Sequence, residues 1–177
     1  MCSAVYSGSS LFISDWIVYT IITILSLNFK MIGGEFNEIL SQKRVRMRDL
    51  QRVVTHHAKL IDICNQLEAI VSQSLLYNYL QGVIIICLSN QLAVYGFVLM
   101  IVLAQVFMMT FHGQMLIDAS SEVTNDIYTS EWYSIDDDRN VMRAVVLSMI
   151  ISQEPKYLTA GGFVKVSLDM FTVVINI

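Results

Sequence analysis

Charged residues are scarce in this 177-residue chain, which has 15% Asp, Glu, Lys and Arg where a soluble domain has about 25%. It also has a single proline, which suits long uninterrupted helices. Its three cysteines, Cys2, Cys64 and Cys87, lack the spacing of a disulfide framework or a metal site. Gly-rich phosphate loops and the common hydrolase and metalloprotease motifs are absent from the sequence as well. We therefore expect no enzymatic activity, no cofactor and no bound metal.

A basic surface for nucleic acid is also missing, because the net charge is −4. The N-terminal stretch MCSAVYSGSS has neither the basic start nor the cleavage site of a signal peptide. Apolar residues are abundant instead, at 55% of the chain with a mean hydropathy of +0.57. This composition predicts a membrane protein that is surrounded by a lipid bilayer and has no nucleic-acid partner.

The longest apolar run, residues 69–111, contains no Asp, Glu, Lys, Arg or His. One helix crosses a bilayer with about 20 residues, so this run is about twice as long as one span needs. We predict two spans, at about residues 69–89 and 94–112, joined by a tight turn at Ser89, Asn90 and Gln91. A buried helical hairpin in a large soluble core is the alternative, which the absence of charge disfavours.

Two further apolar segments, residues 11–32 and 158–177, predict a first and a last span. A signal anchor or a core helix is the alternative for the first. Gly33 and Gly34 predict its end. In the last segment Lys165 and Asp169 are four residues apart, which places both on one face of a helix. The predicted fold is all-α, a polytopic transmembrane protein with cytoplasmic helical extensions at residues 35–68 and 113–156.

Basic residues set the predicted orientation. Six of the eleven Lys and Arg residues fall in segment 35–68, which the positive-inside rule places in the cytoplasm: Lys43, Arg44, Arg46, Arg48, Arg52 and Lys59. Apolar residues in this segment recur at helical spacing and continue without a breaker into the second span. They are Leu50, Val53, Val54, Leu60, Ile61, Cys64 and Leu67. The adjacent His56 and His57 point in different directions on such a helix, so we predict packing or hydrogen bonding for them and no shared metal.

The second cytoplasmic segment, residues 113–156, divides into two predicted helices. The first continues the third span with one apolar face, formed by Met115, Leu116, Ala119, Val123 and Ile127. Asp136, Asp137 and Asp138 then precede a new helical pattern that runs to Ser152. Acidic residues stabilise the start of a helix, and this capping role is favoured over a divalent-metal site because no EF-hand spacing surrounds them.

Three stretches carry a family resemblance: HHAKLIDICNQLE at 56–68, the GQMLIDAS and IYTSEWY motifs within 104–133, and LTAGGFVKVSLDMFT within 155–177. Together, in this order and at this spacing, they resemble the C-terminal part of insect odorant receptors, a seven-helix family with an inside N-terminus. The resemblance covers nearly all of residues 11–177 and assigns the four spans to helices four to seven. It implies that helices one to three are absent, so we expect a partial protein that does not function alone.

The resemblance implies an odorant-gated, non-selective cation channel that serves the sense of smell. Its implied partners are a volatile odorant and a co-receptor subunit in a hetero-tetramer, in the plasma membrane of a sensory-neuron dendrite. An apolar pocket in the outer halves of the helices would bind the odorant, with candidate residues Trp16, Tyr19, Tyr79, Ile86, Tyr95, Phe97 and Ile101. The end of the last helix would line the pore, with candidates Thr172, Val173 and Asn176. The subunit anchor would include Val141, Val145, Ser148, Gly161 and Gly162.

Two alternatives remain open at the level of the sequence. An insect gustatory receptor shares the topology, although the TYxxxxxQ-type signature of its last helix is not found here. A four-span membrane scaffold or transporter without a sensory role is the other, although a transporter would be expected to show internal repeats and none is found.

Overall fold

The computed structural model describes the backbone of residues 2–42, 45–88, 92–135 and 139–176. Side chains are described from residue 15 onward within those ranges, apart from residues 79, 81–95, 97–99 and 134. The chain divides into two compact units. The first unit consists of Met1–Ile24, Glu68–Gln114 and Leu158–Ile177, and the second consists of Leu25–Leu67 and Met115–Tyr157.

Helices make up most of the described chain, in agreement with the predicted all-α membrane fold. Helices α1, α2 and α3 have 39, 42 and 38 residues and contribute to both units. In chain order the elements are α1 (Cys2–Leu40), α2 (Met47–Leu88), α3 (Leu92–Thr129), a 3-10 turn (Trp132–Ser134), α4 (Arg139–Ser152), β1 (Thr159–Ala160), β2 (Val164–Lys165) and α5 (Leu168–Ile175).

The continuous helix predicted from segment 35–68 into the second span is confirmed by α2, which runs unbroken from Met47 to Leu88. The predicted turn at residues 89–91 lies outside the described residues, as does the capping role of residues 136–138. The helix end predicted at Gly33 and Gly34 is wrong, because α1 continues to Leu40. A side chain at Gly33 would overlap the carboxylate of Asp126 on α3. Gly33 therefore serves the close approach of two helices within the second unit.

The core of the second unit is formed by one face of each of its four helices. Helix α2 contributes a buried row at helical spacing, and α1, α3 and α4 bury matching rows around it: Leu50, Val53, Leu60, Cys64, Phe29, Ile32, Phe36, Leu116, Val123, Ile127, Val141 and Val145. His57 lies within this core. Its ring packs edge-on against Phe29 and Phe36, with centroids 6.1 and 6.2 Å away, whereas His56 is exposed. The predicted packing role is therefore confirmed for His57.

Burial changes the acid–base properties of two groups in this core. Desolvation lowers the pKa of His57, and the nearby charge of Lys156 lowers it further. Desolvation likewise raises the pKa of the Cys64 thiol to about 11. Both side chains are therefore uncharged at neutral pH, as an apolar core requires.

The last apolar segment is not a single helix. Strands β1 and β2 form an antiparallel hairpin that pairs Thr159 with Lys165, and α5 covers only Leu168–Ile175. The prediction that Lys165 and Asp169 share a helical face is wrong, because Lys165 lies in β2. Gly161 and Gly162 have φ values of 63° and 76°, which end regular structure between the strands.

Two helical stretches of the described residues are long and apolar enough to cross a membrane, Asp15–Leu40 and Met100–Thr129. This assignment rests on length and composition. It overlaps the first and third spans predicted from the sequence.

Candidate functional site

The hairpin is attached to helix α2 through its glycine turn. The amide of Gly161 donates a hydrogen bond to the carbonyl oxygen of Ser72 at 2.9 Å, and the amide of Gly162 donates to the Ser72 hydroxyl at 3.1 Å. Both amides point at α2 because the two residues have positive φ, which glycine adopts without strain. The turn therefore joins the end of the chain to a helix about 90 residues earlier in the sequence.

Strand β1 adds a polar contact beside this turn. Thr159 donates a hydrogen bond from its hydroxyl to the Glu68 carboxylate at 2.6 Å, and its oxygen lies 3.4 Å from the Ser72 hydroxyl. Hydrogen bonds to a charged acceptor are shorter and stronger than those between neutral groups. The contact fixes β1 at the level of the α2 residues Glu68 and Ser72.

Close packing leaves no room for side chains at two glycines of this region. A Cβ on Gly161 would lie 2.6 Å from Leu76 Cδ2, and a Cβ on Gly113 of α3 would lie 2.5 Å from the carbonyl oxygen of Val166. The hairpin therefore approaches α2 at one end and α3 at the other. These two contacts set the starting position of α5.

Helix α5 exposes most of its surface. None of its residues is buried, and Val173 is 61% exposed, although the helix is strongly apolar. Among the described residues, the ring of Phe171 on α5 packs against the ring of Phe107 on α3, with ring centroids 5.2 Å apart. The pore candidates Thr172, Val173 and Asn176 are all exposed. An exposed apolar helix is usually a contact surface for other protein or for lipid.

A second polar cluster joins α1, α2 and α3 in the first unit. The Asp15 carboxylate accepts a hydrogen bond from Asn78 Nδ2 at 3.1 Å and another from Gln105 Nε2. The Tyr19 hydroxyl donates to the backbone carbonyl of Gln105 at 3.4 Å, and the Tyr19 ring stacks on His112 with centroids 4.9 Å apart. A carboxylate among apolar helices costs free energy unless it is paired in this way.

The pocket candidates differ in how far the structure buries their side chains. Tyr19 is buried in the polar cluster, whereas Trp16 is 64% exposed and lines a shallow groove of ≈360 Å³ with Ile17, Thr20 and Ile21. Ile101 is exposed on α3. The side chains of the other four candidates lie outside the described residues: Tyr79, Ile86, Tyr95 and Phe97. Asp15, Asn78 and Gln105 were not predicted, although polar residues in an otherwise apolar run are a signal that could have found them.

The anchor candidates lie in both units: Val141, Val145 and Ser148 in α4 of the second unit, and Gly161 and Gly162 in the hairpin turn of the first. Val141, Val145 and Ser148 are buried against their own chain, so they attach α4 to the second unit. The opposite face of α4 exposes Leu147 at 55% and Ile150 at 57%, together with Val146 and Ile151. This apolar face is the part of α4 that a neighbouring chain could contact.

The arrangement defines a class of protein: a polytopic helical membrane protein whose last helix follows a glycine hairpin. Comparison with known proteins identifies the family. The model of the 7tm odorant receptor family matches residues 1–177. The chain therefore belongs to the 7tm odorant receptor family, a family of receptors and ion channels, and the resemblance found in its motifs is confirmed.

Individual relatives agree with this assignment. Odorant receptor 67c of Drosophila melanogaster is 24% identical, with 98% of this chain and 45% of the relative aligned. Odorant receptor 85f of the same species is 28% identical, with 69% of this chain and 33% of the relative aligned. The olfactory receptor OR5 of Machilis hrabei, solved in complex with eugenol, has the same fold with a TM-score of 0.75 and 13% identity. That match covers 92% of this chain and 44% of the receptor, so the chain spans less than half of each relative.

Proposed function

We propose that this chain is part of an odorant receptor subunit that binds volatile odorants and, with a co-receptor subunit, forms an odorant-gated, non-selective cation channel. Its proposed location is the plasma membrane of sensory-neuron dendrites, where it serves the sense of smell. Family membership supports the receptor, and the exposed apolar helix α5 is the observation that carries the channel.

The layout of the chain supports the proposed membrane topology. The two compact units change over at residues 24/25, 67/68, 114/115 and 157/158. Three of these positions lie within about three residues of the proposed inner ends of the spans at residues 69, 112 and 158, whereas 24/25 lies inside the first proposed span, residues 11–32. The six basic residues between α1 and the proposed second span support a cytoplasmic second unit. Segments 69–89 and 94–112 would then lie in the membrane.

Odorant binding is proposed for the first unit. Trp16, Tyr19 and Ile101 offer aromatic and aliphatic surface there, beside the polar cluster of Asp15 and Gln105. Volatile ligands have few polar groups, so their affinity comes mostly from apolar burial of about 25 cal/mol per Å². In the solved relative, eugenol is the bound ligand.

The pore is proposed to be lined by α5. Exposed Thr172, Val173 and Asn176 would face an axis shared with α5 helices of the other subunits. An apolar constriction with polar neighbours can close by dewetting. Subunits are proposed to meet through the exposed face of α4, since Leu147 and Ile150 have no core to enter within their own chain.

The test uses the full-length receptor that contains these residues, expressed with its co-receptor. We expect Val173→Glu and Asn176→Asp to shift the reversal potential in mixed cation solutions and to leave the ranking of odorants unchanged. Val173→Thr is the control, because it keeps the size of the side chain without adding charge. If the two charged variants change the odorant ranking and neither shifts the reversal potential, α5 belongs to the odorant pocket and the pore proposal is wrong.

A further inference from the structure

A chain of hydrogen bonds connects the glycine turn of the hairpin to a carboxylate on α2. The amide of Gly162 donates to the Ser72 hydroxyl at 3.1 Å. The Thr159 hydroxyl donates to the Glu68 carboxylate at 2.6 Å, and its oxygen lies 3.4 Å from the Ser72 hydroxyl oxygen. A hydroxyl has one proton to donate, and Thr159 uses its proton on Glu68, so Ser72 is the donor of the long middle bond. Every bond therefore runs in the same direction and the chain ends on a carboxylate.

This arrangement attaches the hairpin firmly to α2. Consecutive hydrogen bonds polarise one another, and a charged acceptor strengthens the bond it receives. Thr159 is only 9% exposed, so water competes little for its hydroxyl. The amide of Gly161 adds a bond to the Ser72 carbonyl oxygen at 2.9 Å. The residues of this attachment are here called the hairpin clamp: Glu68, Ser72, Thr159, Gly161 and Gly162.

The other end of the hairpin is attached to α3. A Cβ on Gly113 would lie 2.5 Å from the carbonyl oxygen of Val166, so the backbone that follows β2 packs directly on α3. The amide of Val166 donates to the carbonyl oxygen of Leu158 at 2.9 Å, which ties the two ends of the hairpin together. The hairpin is therefore one piece that bears on α2 and on α3.

Helix α5 is held much less firmly than the hairpin before it. It has eight residues, none of which is buried, and the Phe171–Phe107 ring contact joins it to α3. Segments with few buried apolar contacts change conformation at lower free energy than the elements packed around them. The hairpin is therefore the fixed base of this region, and α5 is the part that can change its tilt.

The helices that hold the hairpin also carry the polar cluster of the first unit. Asn78 on α2 and Gln105 on α3 both donate to Asp15. On α2, Asn78 is six residues beyond Ser72, which is about 9 Å along an unbroken helix. On α3, Gln105 is eight residues before Gly113, which is about 12 Å. A movement of α2 against α3 at the cluster therefore reaches the hairpin through the two helices.

We propose that Glu68 and Ser72 are positioning residues of the channel, which keep the hairpin attached to α2 in both the closed and the open state. A displacement of α2 by a bound odorant then moves the base of α5. This inference rests on the proposed odorant-gated channel and adds the residues that connect the odorant site to the pore. It is opposed to a mechanism in which the hairpin leaves α2 when the pore opens.

The first test breaks the hydrogen-bond chain in the full-length receptor, expressed with its co-receptor. Thr159→Val keeps the shape of the side chain and removes the hydroxyl. Single-channel recording gives the opening equilibrium constant with saturating odorant and without odorant, and the ratio of the two measures the coupling. We expect this ratio to fall about tenfold, the effect of losing one hydrogen bond to a charged acceptor, with the single-channel conductance unchanged. Poor folding alone would lower the number of channels and leave the ratio intact.

Three further variants control this test. Thr159→Ser keeps the hydroxyl and should restore the ratio. Thr55→Val makes the same chemical change on α2, where the hydroxyl donates to the carbonyl oxygen of Gln51 in its own helix, and should leave the ratio unchanged. Glu68→Gln/Thr159→Val should be no worse than Thr159→Val, because both changes act on one bond. The inference is overturned if Thr159→Val leaves the ratio unchanged, if Thr159→Ser does not restore it, or if Thr55→Val lowers it equally.

The second test locks the clamp. The hydroxyl oxygens of Ser72 and Thr159 are 3.4 Å apart, so sulfur atoms in Ser72→Cys/Thr159→Cys can reach the disulfide length of about 2.05 Å. Copper phenanthroline closes the disulfide, dithiothreitol opens it, and the mass of the joined peptides confirms it. The oxidised channel should keep its odorant-evoked current and have a higher coupling ratio than the reduced one. Ser72→Cys alone is the matched control and should respond to neither reagent.

Two results of the second test contradict the inference. If oxidation abolishes the current and reduction restores it, the hairpin has to leave α2 for the pore to open. If the two cysteines do not form a disulfide, the hairpin is not held against α2 as described. A receptor that conducts while the variants leave coupling unchanged contradicts the positioning role alone. A wild-type receptor without odorant-evoked current contradicts the proposed channel and this role with it.

Discussion

Replacing Gly161 by alanine should detach the hairpin from helix α2. The residue has φ 63°, where a side chain costs about 1–2 kcal/mol. The added Cβ would also lie 2.6 Å from Leu76 Cδ2. Overpacking of this kind costs about 1–3 kcal/mol, and the lower half applies here because the Leu76 side chain can rotate. The two costs together predict about 2–4 kcal/mol of local destabilisation.

Hydrogen exchange of the peptide that contains residues 158–167 measures this loss, because the amides of Gly161 and Gly162 both donate hydrogen bonds to Ser72. Each 1.4 kcal/mol is a factor of ten in the opening equilibrium, so Gly161→Ala should speed exchange about 30- to 700-fold. Gly162→Ala is the matched control. It has a similar φ of 76° but no atom within 4 Å of an added Cβ, so only the backbone cost applies.

A second variant separates sterics from backbone strain. Leu76→Ala in the Gly161→Ala background removes the overlapping atoms and should return exchange to the level of Gly162→Ala. Equal exchange for the two single variants, with no recovery in the double variant, would refute the argument that Leu76 limits this position.

Two further predictions concern the core of the second unit. The pKa of His57 is lowered, so the unfolded state takes up a proton first as the pH falls below about 6.5, and stability is lost on acidification. His57→Phe should therefore reduce the difference in detergent melting temperature between pH 7.5 and pH 5.5, whereas His56→Phe should not. An unchanged difference for His57→Phe would contradict this reasoning. Cys64, with a pKa of about 11 and a buried thiol, should resist maleimide at pH 7.5 until the protein unfolds, once Cys2 and Cys87 are replaced by serine. Rapid labelling of the folded chain would show that the core opens.

Several features of the fold could be predicted from local patterns alone. Helical spacing of apolar residues gave the buried row of α2, and the absence of a breaker before residue 69 predicted that α2 is continuous. Motif order identified the family. These predictions succeed because helix formation and hydrophobic periodicity depend on residues within a few turns of one another.

The sites were harder to predict. Val141, Val145 and Ser148 are buried in their own chain, and their role at a subunit contact stays a prediction; the exposed face of α4 is Val146, Leu147, Ile150 and Ile151. Asp15 could be recognised as a charge in an apolar run, but its partners Asn78 and Gln105 lie 63 and 90 residues away. No spacing rule within one helix connects residues so far apart.

The sequence by itself determined that the chain is a helical membrane protein whose basic residues are concentrated in segment 35–68, because composition, run length and charge do not depend on long-range contacts. Only the tertiary structure decided the roles of the glycines. Gly33 lies inside a helix where a neighbouring helix approaches closely, whereas Gly161 and Gly162 turn a hairpin whose amides are satisfied by Ser72. The physical reason is that glycine permits both conformations, and the choice depends on which distant backbone and side-chain atoms lie against it.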